Sequence, residues 1–93
     1  MAAANSPLGQ VEEMAQNGAP EPQLSKALYQ LGLDYATGHG VEKDLIEAHK
    51  WLNLAAVHGY SEAAVDRDEL ARELDRRDIR RALKRAREWH ATH

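Results

Sequence analysis

Side chains able to do chemistry are sparse in this chain, and their spacing argues against a catalytic or metal centre. Hydroxyl nucleophile candidates are limited to Ser6, Ser25, Ser61, Thr37 and Thr92. None stands in a Gly-x-Ser-x-Gly elbow, and Ser25 and Ser61 fall where helix caps belong. Gly38-His39-Gly40 is too short to cradle a phosphate and reads as a tight turn. Five histidines raise the question of metal binding. His49 and His58 are about 180° apart around a helix, so they cannot share an ion. His90 and His93 have a workable spacing but sit on a fraying C-terminal end. With no cysteine there is neither a thiolate site nor a disulfide. Asp66, Asp68 and Glu69 share a segment with Arg67 and Arg72, so they read as a solvated ion-pair face rather than an acid–base pair. The expectation is a chain with no cofactor and no metal, and not an enzyme.

Recognition chemistry is better represented. The net charge of −3 hides an asymmetry. Residues 1–65 carry three Lys against eight acids, whereas residues 66–93 carry nine Lys or Arg against seven. Between Arg76 and Arg87 there are seven basic residues and a single acid, Asp78. On a helix these seven, Arg77, Arg80, Arg81, Lys84 and Arg85 among them, spread over about half the circumference and set up a strong local potential. Such a face is either solvated and partly neutralised by Glu69, Glu73 and Asp75, or a surface for an acidic protein. Nucleic acid ranks last, because neither helix-turn-helix spacing nor interleaved aromatics accompany the charge. Tyr35, Trp51 and Trp89 fall on or beside apolar arcs and read as core. Tyr29 and Leu33 lie one turn apart on the opposite side of their helix. They either pack against an N-terminal helix or form part of a recognition surface.

The elements that must position these groups are all helical. Residues 1–7 read as a disordered leader with no targeting signal, and 8–93 as one domain. Leu8, Val11, Met14 and Ala15 predict a short helix over 8–16, closed by Asn17-Gly18 and followed by Pro20 and Pro22. Leu24, Ala27, Leu28, Leu31 and Tyr35 predict a second helix over 23–37. Gly32 inside it points to close approach by a neighbouring helix, and Gly38 and Gly40 supply positive-φ turn positions. Asp44 can cap a third helix over 45–58, apolar on so much of its circumference that only Glu47, Lys50 and Asn53 read as solvent-facing. It is therefore the central helix. Ser61 can cap a fourth over 62–74, and Asp75 a fifth whose narrow apolar arc is Ile79, Ala82, Leu83, Ala86 and Trp89. No stretch is long enough to span a membrane, and a cytoplasmic protein is expected.

Leu31-Gly32, Tyr35, Gly38-His39-Gly40-Val41, Asp44, Ala48, Trp51, Ala55-Ala56 and Gly59 together resemble one complete Sel1-like repeat, a relative of the tetratricopeptide repeat. Residues 44–56 and Ala86-Arg87-Glu88-Trp89 resemble the short stand-alone bacterial form of that family. The helix-ending Gly18 and Gly59 fit a helical-hairpin period. The resemblance implies an all-α fold of antiparallel helical hairpins stacked as a short α-solenoid, with residues after Gly59 as a capping hairpin. It also implies a non-enzymatic adaptor that binds a protein or peptide. The first helix of the hairpin commonly faces the concave side in this family, which nominates Tyr29, Leu33, Lys26, Gln30 and Asp34 as partner-binding. With one full repeat, and with Ile46, Leu54 and Val57 pointing off the main arc, a homodimer through the first hairpin is also an expectation.

Overall fold

The computed structural model describes residues 6–93, and the rest of the expected leader lies outside them. Among the described residues there are five helices and no strand: α1 Pro7–Gln16, α2 Glu21–Thr37, α3 Leu45–Val57, α4 Ser61–Ala71 and α5 Arg76–Thr92. Ser6, read as leader, belongs to the fold. Its hydroxyl accepts from the Gly9 amide at 3.0 Å and caps α1, with Pro7 at the first helical position.

The local signals act as the residues dictate. Asp44 Oδ1 accepts from the Ile46 and Glu47 amides at 3.0 and 3.1 Å, and Asp75 accepts from Asp78 at 2.8 Å. Gly38 ends α2 at φ 79°, a left-handed conformation that side chains with a Cβ disfavour. Two caps differ from expectation. Ser25 is not a cap: α2 starts four residues earlier, and the buried Ser25 hydroxyl donates back to the Pro22 carbonyl. Ser61 is already helical, with Tyr60 at the cap position and no side-chain cap bond. Tyr60 is held there by stacking on Tyr29, with ring centroids 4.6 Å apart.

The core forms around α3, which packs against α2, α4 and α5, while α1 packs against α2. Leu28, Leu31, Ala48, Trp51, Leu52, Ala55, Ala82 and Trp89 are buried together. Leu83, on the predicted apolar arc of the fifth helix, is only half-buried, as is Leu70. Trp51 meets Trp89 edge-to-face at 5.3 Å across the α3–α5 seam. Helix α2 approaches α3 closely at Gly32, where an added Cβ would come within 2.7 Å of Leu52 Cγ and Cδ2. The expected capping hairpin is not seen: α4 and α5 each pack on α3 and scarcely touch one another. Leu54, expected to need outside cover, is buried, whereas Val57 is 64% exposed.

Candidate functional site

Flanking α2 on one side is α1, and on the other α4. This splits the five residues nominated on α2 between two grooves. Lys26, Gln30 and Asp34 line a groove of about 460 Å³ against α1, floored by Val11, Met14, Ala27 and Leu31. The start of α1 lies beside the turn after α2, since a Cβ on Gly40 would meet Pro7 Cγ at 3.1 Å. The two helices are therefore antiparallel, and the groove follows their length. Lys26 and Gln30 are exposed on its rim, as is Gln23. Asp34 is buried, accepting from Gln30 Nε2 at 3.3 Å with His39 Nδ1 3.4 Å away.

Leu33 lines the other groove, about 490 Å³, between α2 and α4. Its floor is Leu33, Ala36, Leu52 and Leu70, and its rim carries Asp66, Glu69, Glu73 and Arg72. Tyr29 sits on this same side. Its packing against an N-terminal helix, one of the two expectations, is corrected: its hydroxyl donates to Asp66 Oδ2 at 2.5 Å and its ring stacks on Tyr60. That hydrogen bond, followed by burial, raises the Tyr29 pKa from 10.0 to about 12. Tyr29 is thus a tie between α2 and α4, and its hydroxyl is committed within the fold.

A third surface is the outer side of α5. Ala82, Ala86 and Trp89 turn inward, leaving the cations outside. None of Glu69, Glu73 and Asp75 forms an ion pair with α5 among the described residues. Instead Arg85 reaches back to Glu47 Oε2 at 2.9 Å, and Lys84 pairs loosely with Glu88 at 3.9 Å. Arg77, Arg80 and Arg81 are exposed and have no ion-pair partner among the described residues.

Glu47, read from the sequence as solvent-facing, is a half-buried junction. It accepts from Trp51 Nε1 at 3.1 Å and Lys50 Nζ at 3.5 Å as well as from Arg85. Asn53 and Lys50 are also half-buried, Asn53 taking a hydrogen bond from Arg67 at 2.8 Å. A carboxylate four residues before a tryptophan on one helix was the signal that could have found Glu47. The Arg85 contact, 38 residues away, had none.

His49 is buried with Nδ1 unpartnered, and its pKa is lowered by burial and then by Arg67, against a smaller opposing effect of Asp68. His58 Nδ1 lies 2.6 Å from Glu21 Oε1, joining the end of α3 to the start of α2. His90 meets the His58 ring edge-on at 5.7 Å, while His93 stacks on Trp89 at 4.4 Å. No cluster of three metal-ligating side chains occurs among the described residues. No described helix is long and apolar enough to cross a membrane. Comparison with protein-family models, with curated proteins and with solved structures found no match to this chain.

Proposed function

We propose that the chain is a non-enzymatic protein-interaction module of the Sel1-like type, which takes a peptide segment of its partner into the α1/α2 groove. The observation that carries this reading is the lining of that groove. An apolar floor of Val11, Met14, Ala27 and Leu31 lies beneath a rim of Gln23, Lys26 and Gln30. Apolar floors supply affinity, while rim amides can both donate to and accept from a peptide backbone, and Lys26 adds a contact for a carboxylate. Met14 suits the role further, because its unbranched thioether adapts to varied side chains. Selection of peptides from a displayed library on the full chain tests it. Enriched peptides should share an apolar anchor, and Lys26→Glu combined with Gln23→Ala, both at exposed rim positions, should weaken them without moving Tm. Peptides that bind this exposed double variant equally well would remove the groove from consideration.

A second reading follows from the unpaired Arg77, Arg80 and Arg81. Together with Lys84 they could hold nucleic-acid phosphates without reading bases, while Arg85 is held by Glu47. Binding of a labelled oligonucleotide at low salt, falling steeply as salt rises, is the result this reading requires.

A further inference from the structure

The outer face of α5 and the α2/α4 groove match one another in charge and in spacing, yet they cannot meet within one molecule. On the groove rim, Asp66, Glu69 and Glu73 stand at steps of three and four residues. The chain keeps a helical hand past the end of α4, through bonds from the Arg72, Glu73 and Leu74 amides to Glu69, Leu70 and Ala71. The three carboxylates therefore form one stripe about 10 Å long. On α5, Arg77, Arg80 and Lys84 repeat the same steps and form a stripe of the same length. Asp66 holds the Tyr29 hydroxyl through one oxygen, while the Glu69 and Glu73 side chains are exposed and have no partner among the described residues. The cationic stripe lies on the side of α5 turned away from α3, and α4 and α5 scarcely touch, so no ion pair joins the two stripes.

We infer that these two surfaces bind each other between copies of the chain, with the α5 cationic stripe of one molecule lying along the acid-rimmed α2/α4 groove of another. The guanidinium and ammonium heads meet the carboxylates, and the aliphatic stems cover Leu33, Ala36 and Leu70. The remaining charges agree with this pairing, since the one cation on the rim is Arg72 and the acid within the α5 face is Glu88. Exposed ion pairs are individually weak and screened by salt. The association is accordingly modest and ionic-strength dependent. It uses no residue of the α1/α2 groove, so it and the peptide reading stand or fall separately.

Sedimentation of the nucleic-acid-free full chain tests the inference. Self-association should appear near 0.01 M salt, where the screening length is about 30 Å, and vanish near 1 M, where it is about 3 Å. Two variants at exposed positions, each first shown to melt like the parent, carry the decision. Glu69→Lys with Glu73→Lys, and Arg80→Glu with Lys84→Glu, should each weaken self-association roughly tenfold or more. An equimolar mixture of the two should associate again, because a cationic groove then faces an anionic helix. A parent chain that stays monomeric at low salt and high concentration overturns the inference. So do reversed variants that associate like the parent, or a mixture that does not recover. Oligonucleotide binding by a monomeric chain, insensitive to the groove variant, would assign α5 to nucleic acid instead.

Discussion

At the scale of single residues, the groups that matter are those whose environment departs from water. Burial disfavours the charged form of His49, and its Nδ1 has no hydrogen-bond partner. Its folded pKa lies below the ordinary 6.5, so the unfolded chain takes up protons first as the pH falls. Stability is therefore complete above 6.5 and declines below it. Chemical denaturation at pH 7.5 and 5.5 should show a loss that His49→Leu removes. Tyr29 works in the opposite direction. Its raised pKa means that its contribution is complete below pH 10 and fades as the pH climbs through about 12. Glu47 should be costlier to lose than its surface-like position suggests. Glu47→Ala strands the Trp51 indole N–H and should cost about 1–3 kcal/mol. Arg85→Ala removes only an ion pair, costing under about 1 kcal/mol, and Glu47→Gln should resemble it because the indole keeps an acceptor. Equal losses for Glu47→Ala and Glu47→Gln in urea titrations would contradict that ordering.

Between helices, the α2–α3 crossing rests on a glycine against a leucine. Gly32→Ala forces a methyl into Leu52 and should cost about 1–3 kcal/mol, while Leu52→Ala opens a cavity costing about 2–5 kcal/mol. Together they should cost less than the sum, since the new methyl enters space the leucine vacated. A double-mutant cycle showing strict additivity would refute the close contact. This crossing was legible in the sequence, because a glycine beside a helical apolar stripe weakens its own helix and is compensated where a neighbour needs the space. The centrality of α3 and the Asp44 and Asp75 caps were legible for a related reason: each is set by residues close by on one helix. What could not be read depends on how helices lie relative to one another. A helical wheel places Lys26, Gln30, Asp34, Tyr29 and Leu33 on one continuous face. Only the flanking positions of α1 and α4 divide that face into two grooves. The partners of Tyr29, Tyr60 and Asp66, likewise lie on a helix or at its cap, where the sequence carries little apolar pattern.

For the whole molecule, the helices do not form a chain of equal links. Helix α3 is common to three packing surfaces, whereas α1 is attached through α2. Amide exchange should reflect this, with α3 protected to the global unfolding limit and α1 released earliest. Uniform protection across both helices would contradict the arrangement. The pairing of Trp51 with Trp89 adds a practical consequence. Both indoles of the protein lie at the same α3–α5 seam, the first fully buried and the second 8% exposed. Intrinsic fluorescence is therefore a local gauge. It registers separation of that seam and is blind to α1 leaving α2. Far-ultraviolet circular dichroism, which weights every helix by its length, sees both events. A helical signal that begins to fall before the emission shifts would mark the detachment of α1, and the interval between the two curves would measure how loosely α1 is held against α2.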